Sequence, residues 1–190
     1  MKVTALDIPG ALLIEPAVFR DHRGLFCETY HTQRYAEAGL IDGFVQDNFS
    51  RSVRGTLRGL HYQEPHPQGK LVMVLEGAVF DVIVDIRKGS PMFGRWQGFD
   101  LSSENYRQLY APPGCAHGFC VTSEWAVVLY KCTDFYSPKA ERGIIWNDPA
   151  LAISWPITTP LLSAKDQAYG TLAATQAKLP VYGPIDRLIP

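Results

Sequence analysis

The sequence of 190 residues lacks the features that mark membrane-spanning, repetitive or nucleic-acid-binding proteins. No apolar run approaches the roughly 20 residues that span a bilayer, and no internal repeat or low-complexity tract is present. Eighteen Lys and Arg residues are balanced by 19 Asp and Glu residues, for a formal net charge of -1. Such a chain has no general excess of positive charge to neutralise a nucleic-acid backbone. We therefore expect neither a nucleic acid nor a membrane as a partner.

Cysteine is scarce as well, with four residues in the chain. Cys27, Cys115, Cys120 and Cys132 are spaced too irregularly for a zinc site of paired CxxC type, and they are too few for a disulfide scaffold. They are expected to be buried thiols that pack as small hydrophobes. The N-terminal stretch has no basic segment followed by an uninterrupted apolar core, as a secretory signal would have. These features predict a cytoplasmic protein.

The dominant pattern that is present has a period of two, which is typical of β-strands. From Ala78 to Ile86 every even position is apolar, whereas the odd positions include Asp81 and Asp85. With 46% hydrophobic and 12% aromatic residues the chain can fill one core. We predict a single all-β domain over residues 1–190, a sandwich or barrel. Similar short runs, separated by Gly, Pro and Ser, occur at Leu25–Tyr30, Leu71–Leu75, Trp96–Leu101, Arg107–Ala111, Phe119–Thr122 and Ala126–Lys131.

Helical signal is confined to two short segments. Residues 32–38 precede Gly39, which can serve as a C-cap, and a second segment opens at Ser163. In the second segment Asp166 stands at the capping-box distance from Ser163, in place of the usual Glu. The proline-rich tail after Leu179 is predicted to be irregular.

Polar residues in four motifs exceed what a plain β-domain needs. VFRDHRGLFCETY, Val18–Tyr30, places Arg23 before a glycine and Glu28 within the next predicted strand. LRGLHYQ, Leu57–Gln63, reads as a strand that carries the guanidinium of Arg58 and the imidazole of His61. A site that holds a phosphate and moves a proton needs both groups. PPGCAHGF places His117 after a Pro-Pro-Gly turn, and LYKCTDFY places Tyr130 on a strand. We therefore expect the functional site among these motifs.

Six motifs in the same order resemble the dTDP-4-dehydrorhamnose 3,5-epimerase family: LRGLHYQ, FVQDNFSRS, FDVIVDIRKGSPMFGRW, PPGCAHGF, LYKCTDFY and LSAKD. The resemblance extends to about Asp166. It implies a cupin-type jelly roll, or double-stranded β-helix, with a few short helices, and a homodimer whose subunits exchange strand pairing. The activity implied is inversion of C3 and C5 of dTDP-4-dehydro-6-deoxy-D-glucose, giving dTDP-4-dehydro-L-rhamnose for dTDP-L-rhamnose biosynthesis. No metal and no cofactor is implied.

The resemblance also implies roles for individual residues. His61 matches the family's base, Asp166 its carboxylate partner, Lys70 the group that faces the O4 oxyanion, and Tyr130 the acid on the opposite face. Such a set fits proton abstraction next to a ketone, which requires a base, an enolate stabiliser and an acid. The matching substrate-binding residues are Arg23 and Arg58 for the pyrophosphate, and Glu28, Gln46, Asn48, His117, Glu141 and Lys165 for the nucleotide or the sugar.

Three alternatives remain at this point. Relatives that epimerise a single carbon keep most of the same motifs. A metal-dependent cupin is suggested by the P-x-G-x-x-H spacing that ends at His117, but Tyr62 and Gln63 follow His61, so the HxH ligand pair is missing. A catalytically silent nucleotide-sugar binder would retain the arginines and lose the proton-transfer groups, which this chain keeps.

Overall fold

A computed structural model describes residues 1–40 and 43–183. This part of the chain contains thirteen strands and three short helices, with a 3₁₀ turn at Gln176–Lys178. The helices are α1 (Thr32–Glu37), α2 (Ala164–Gln167) and α3 (Leu172–Thr175). The strands are β1 (Lys2–Ala5), β2 (Leu12–Glu15), β3 (Val18–Asp21), β4 (Gly24–Cys27), β5 (Gln46–Val53), β6 (Leu57–Gln63), β7 (Lys70–Glu76), β8 (Ala78–Asp85), β9 (Trp96–Ser102), β10 (Gln108–Ala111), β11 (Cys115–Val121), β12 (Trp125–Cys132) and β13 (Glu141–Gly143).

The strands form two main antiparallel sheets that face each other. One sheet has the order β1-β2-β10-β7-β12-β5, and the other has the order β13-β6-β11-β8-β9. Within residues 1–40 and 43–183, strands β3 and β4 pair with each other and with no other strand, as a separate hairpin. Two packed antiparallel sheets with long connections between them are the arrangement of a jelly roll. The predicted all-β, cupin-type jelly roll with a few short helices is therefore confirmed.

Strand β8 is buried on both of its faces. Val79 and Ile83 belong to the apolar cluster between the two sheets, together with Val72 of β7 and Val128 of β12. The even-numbered residues of β8 face the other way and pack under the C-terminal segment, where the cluster includes Val82, Val84, Ile86, Ile144, Leu151, Leu172 and Leu179. The odd, partly polar face thus points into the sandwich, and its two aspartates need buried partners.

The predicted helices are present. His31 caps α1 by accepting a hydrogen bond from the Arg34 backbone, and Gly39 follows with φ +97°. Ser163 caps α2 through the backbone N–H of Asp166 at 3.1 Å, but the Asp166 carboxylate is directed elsewhere, so the capping box is only half formed. No helix among the described residues is long enough to cross a membrane. In the tail, residues 184–190 lie outside the described range.

Most of the predicted strands are confirmed. Two of them differ at one end from the prediction, and five further strands were not predicted. The structure ends β4 at Cys27, three residues before the predicted end, and begins β11 at Cys115, before the predicted Phe119. Strand β5, Gln46–Val53, escaped the apolar pattern because its inward positions are polar. The short strands β1, β2, β3 and β13 were also not predicted.

Asp85 and Arg87 form an ion pair that is completely buried. The carboxylate accepts from the Arg87 guanidinium at 3.0 and 2.7 Å, and from the Ser90 hydroxyl at 2.6 Å. The Asp85→Asn substitution removes the negative charge from this buried pair, together with the carboxylate that accepts these three hydrogen bonds. We expect it to lower the free energy of unfolding by about 3–5 kcal/mol, measured by urea denaturation.

The control for this prediction is an exposed ion pair. Lys2 lies 2.9 Å from Glu15, with 74% of its side chain exposed. Lys2→Gln should change the free energy of unfolding by about 0.5 kcal/mol or less. An Asp85→Asn variant as stable as Lys2→Gln would contradict the assigned role of the buried pair.

Candidate active site

A cavity of about 360 Å³ lies between the two sheets and collects most of the predicted site residues. Nine of the twelve line it: Gln46, Asn48, Arg58, His61, Lys70, His117, Tyr130, Glu141 and Lys165. A tenth, Asp166, lies behind His61 and is 3% exposed. The cavity is therefore where the sequence motifs meet.

One wall of the cavity comes from the six-stranded sheet. Asn48 of β5 is paired with Tyr130 of β12, and Gln46 is paired with Cys132. On its other side, Cys132 is paired with Lys70 of β7. Cross-strand neighbours share a face of the sheet, so these side chains form one contiguous polar surface.

The facing wall comes from the five-stranded sheet and contains an irregularity. His61 of β6 lies opposite His117 of β11, and Arg58 lies opposite Phe119. Three residues of β6 thus span the same length as two of β11, as in a β-bulge. In a regular strand Arg58 and His61 would point to opposite faces. The extra residue lets both line the cavity.

His61 is held by a carboxylate from a distant part of the chain. Its Nε2 lies 2.6 Å from Oδ1 of Asp166, which is 105 residues away in sequence. The short helix α2, capped by Ser163, positions Asp166, and the main chain at Leu161 bonds to β6 at Leu57. With Nε2–H donating to the carboxylate, Nδ1 is the nitrogen available to accept a proton.

The surroundings keep this pair in the form that accepts a proton. Burial lowers the pKa of His61 from its ordinary value, an effect that the hydrogen bond donated to Asp166 opposes and the charge of Lys70 reinforces. Burial by itself would raise the pKa of Asp166, but the hydrogen bond and charge of His61 outweigh it, and the net pKa is lowered. Near neutral pH the site therefore contains a neutral imidazole beside an ionised carboxylate.

Lys70 and Tyr130 are the other two residues for which the resemblance predicts a part in the chemistry. Burial lowers the pKa of the Lys70 ammonium, with Asp81 and Glu141 among the groups that oppose the shift. Burial raises the pKa of Tyr130, so its hydroxyl remains a proton donor. Within the described residues, no carboxylate forms an ion pair with Lys70 or Arg58. The cavity thus offers unneutralised positive charge to an anionic ligand.

The other polar side chains of the cavity are held in place by one another. His117 Nε2 lies 2.8 Å from Oδ1 of the buried Asp81. Glu141 accepts from Lys165 at 2.6 Å and from the Tyr136 hydroxyl at 2.8 Å. These contacts orient the rim of the cavity before a ligand binds, which lowers the entropic cost of binding.

Two predicted residues do not reach the cavity of their own chain. Arg23, with 80% of its side chain exposed, lies on the β3–β4 hairpin and pairs with Asp21 at 2.6 Å. Glu28 follows the hairpin and pairs with Arg34 of α1. Their substrate-binding roles remain predictions, and their positions show that a single chain does not bring all twelve residues together.

The cavity also includes residues that the sequence did not single out. Ser50 shares the inward face of β5 with Gln46 and Asn48, so a polar period of two would have found it. Cys132, set aside as a packing thiol, is buried at the cavity wall, where burial raises its pKa. The remaining additions are Tyr62, Gln63, Gln68, Phe119 and Tyr136.

The geometry does not gather a conventional set of metal ligands. Across residues 1–40 and 43–183, no three His, Cys, Asp or Glu side chains are grouped as a metal site would need.

Known proteins share both the sequence and this fold. The family model described as dTDP-4-dehydrorhamnose 3,5-epimerase matches residues 5–174. The enzyme of that name from Pseudomonas aeruginosa is 57% identical over 169 residues, covering 88% of this chain and 93% of its own length. The dTDP-4-dehydrorhamnose 3-epimerase of Streptomyces niveus is 43% identical over 186 residues, covering 96% of this chain and 90% of its own length.

Solved structures agree. The dTDP-6-deoxy-D-glucose-3,5-epimerase of Legionella pneumophila, in complex with dTDP-4-keto-L-rhamnose, superimposes with a TM-score of 0.93 at 51% identity. The match covers 96% of this chain and 98% of the other. From the family model, the identities and the shared fold, the chain belongs to the dTDP-4-dehydrorhamnose 3,5-epimerase family.

Proposed function

We propose that this protein is an isomerase that inverts C3 and C5 of dTDP-4-dehydro-6-deoxy-D-glucose and forms dTDP-4-dehydro-L-rhamnose, the reaction named for its relatives. The observation that carries the proposal is the pair of His61 and Asp166, 2.6 Å apart, at the wall of a cavity that also contains Lys70 and Tyr130. This arrangement supplies the three groups that epimerisation next to a ketone requires.

Proton removal is the task of His61. Protons on C3 and C5 are acidic because each carbon is next to the C4 ketone, so its carbanion is stabilised as an enolate. Nδ1 of the neutral imidazole accepts the proton, and Asp166 stabilises the imidazolium that results. The lowered pKa of His61 keeps the base neutral to more acidic pH than an ordinary histidine.

Lys70 stabilises the enolate. When a proton leaves C3 or C5, negative charge develops on the O4 oxygen. An ammonium group in a partly dry cavity, without a competing carboxylate among the described residues, stabilises that charge more than water does. Lys70 is therefore assigned to O4.

Tyr130 completes the inversion. Its raised pKa keeps the hydroxyl protonated, so it can donate a proton to the enolate carbon. Donation from the face opposite His61 inverts the carbon, whereas return of the proton by His61 would restore the original configuration. The configuration at each carbon therefore depends on Tyr130.

A second copy of the chain is proposed to complete the nucleotide site. The β3–β4 hairpin belongs to neither main sheet of the described residues. Its Phe19 is 63% exposed and its Phe26 is 67% exposed. Strand β5 is the last strand of its sheet, with no neighbour on its outer side among the described residues, and its Phe49 is 74% exposed. Exposed aromatic residues and a free edge favour association. In a homodimer the hairpin would carry Arg23 toward the partner's cavity. A sedimentation coefficient of a monomer at micromolar protein concentration would reject the proposed homodimer.

No disulfide joins any two of the four cysteines, which favours a reducing compartment. We therefore place the proposed reaction in the cytoplasm.

The reaction is tested by isotope exchange. The protein is incubated with dTDP-4-dehydro-6-deoxy-D-glucose in deuterated water, and incorporation is followed by NMR. Deuterium at both C3 and C5 is the expected result. As a control, dTDP-glucose should exchange at neither carbon because it has no ketone.

The other outcomes separate the alternatives. Deuterium at only one carbon would place the protein with single-carbon enzymes, such as the 3-epimerase relative from Streptomyces niveus. No exchange at either carbon would overturn the proposed function.

A further inference from the structure

Tyr169 packs against the imidazole of the proposed base, His61. It lies in the segment between α2 and α3, three residues after Asp166. Its ring meets the His61 imidazole edge-on, with centroids 5.8 Å apart and planes inclined by 72°. Aromatic rings in this geometry attract each other beyond the gain from burial alone.

The opposite strand is shaped to admit this ring. Gly143 of β13 is paired with His61 in the sheet. A Cβ atom on Gly143 would overlap Cδ2, Cε2 and Cζ of Tyr169. The tyrosine therefore occupies the space that a side chain at position 143 would take, directly beside the imidazole.

The hydroxyl of Tyr169 takes no part in this contact. Among the described residues it is buried without a hydrogen-bond partner. Burial raises the pKa of Tyr169, so the side chain stays neutral. Tyr169 therefore acts on His61 through its ring and supplies neither a charge nor a proton.

We propose that Tyr169 is a positioning residue for the base: its ring fixes the plane of the His61 imidazole against Asp166 and excludes water from that side of the pair. A single hydrogen bond at Nε2 leaves the imidazole free to tilt about that bond, and the edge-on ring removes this freedom. The proposal rests on the role of His61 proposed above.

The ionisation of His61 gives a direct readout of this contact. The titratable groups around the imidazole are Asp166 and Lys165 of α2, Lys70 of β7, Glu141 of β13, His117 of β11 and Tyr169. Removing the ring alters none of these charges but admits water. Because burial is what lowers the pKa of His61, hydration should raise it.

The test compares Tyr169→Ala with Tyr169→Phe. In the ligand-free protein, NMR titration should give Tyr169→Ala a His61 pKa measurably higher than that of the unaltered protein. In the exchange assay its kcat should fall about tenfold because the base is misoriented, while KM changes by about twofold or less. Tyr169→Phe should match the unaltered protein in all three quantities, since the hydroxyl has no partner among the described residues.

Gly143→Ala provides a second route if Tyr169→Ala does not fold. The added methyl group displaces the Tyr169 ring, so this variant should show the same rise in the His61 pKa and the same loss of kcat. In a Gly143→Ala/Tyr169→Ala double variant the methyl group has no ring to displace. It should therefore add nothing to the effect of Tyr169→Ala.

An unchanged His61 pKa and kcat in Tyr169→Ala would overturn the proposal, as would independent, additive losses in the double variant. A Tyr169→Phe variant as impaired as Tyr169→Ala would overturn it in favour of a role for the hydroxyl. If the unaltered protein exchanges no deuterium, the proposed function fails. If Tyr169→Ala nevertheless raises the His61 pKa, the proposed effect of the Tyr169 ring on His61 is retained.

Discussion

Replacing His61 by Asn is expected to reduce both turnover and deuterium incorporation by about a thousandfold, within the range for loss of a positioned general base. Asparagine is shorter than histidine and does not reach the position of Nε2, but the polar cavity admits water, which bonds to the Asp166 carboxylate in its place, so the fold should be retained. Because the amide cannot accept a proton from carbon, chemistry fails while binding persists. The measurements are kcat for exchange, and the affinity for dTDP by calorimetry, which should change by about threefold or less.

His66 provides the matched control for this substitution. Its side chain is 71% exposed and its φ is +68°, a conformation that Asn tolerates well. His66→Asn should keep kcat within about twofold of the unaltered protein, as expected for a histidine outside the chemistry. If His61→Asn retained a tenth of normal turnover or more, the base would have to be another group, and His117 would be examined next.

Replacing Lys70 by Met is expected to lower kcat by about 10²–10³-fold, as for loss of one oxyanion-stabilising group. Methionine has a similar length and no charge, so the cavity keeps its shape while the O4 oxyanion loses its counter-charge. The charge of Lys70 also lowers the pKa of His61. Without it the imidazole is protonated at higher pH, so the acidic limb of the residual activity should move to higher pH.

Lys131 is the control for Lys70. It lies on β12, and its ammonium bonds to both carboxylate oxygens of Asp47 at 2.9 Å, outside the cavity. Lys131→Met should leave the pH profile in place and reduce kcat by about twofold or less, because a surface ion pair contributes little. A Lys70→Met variant within tenfold of normal kcat would mean that another donor faces O4.

Local patterns in the sequence identified part of the site because they reflect local physics. Alternation of apolar residues found β8 and the strands around it, and the mixture of guanidinium and imidazole in LRGLHYQ marked β6. The same alternation missed β5 because Gln46 and Asn48 point into a polar cavity where a core residue would normally be. A strand that lines a polar site does not have the signature of a strand that lines a core.

Other features of the site depend on contacts that no local pattern encodes. Asp166 was assigned to His61 only through the family resemblance, because 105 residues separate the two in sequence. The packing of the Tyr169 ring into the space beside Gly143 was not predicted. The two residues are far apart in local sequence pattern, and Gly143 comes to lie beside His61 only when β13 pairs with β6. Arg23 was predicted as a site residue, but nothing in its motif indicates that it lies outside the cavity of its own chain.

The two-sheet architecture has a consequence for stereochemistry. His61 extends from the five-stranded sheet and Tyr130 from the six-stranded sheet, and packed sheets are held about 10 Å apart. In the proposed reaction, an enolate bound between the sheets would present one face to each of them. The configuration of the product then depends on the presence of two facing sheets. A base and an acid on a single sheet would both act on the same face of the sugar and would regenerate the starting sugar.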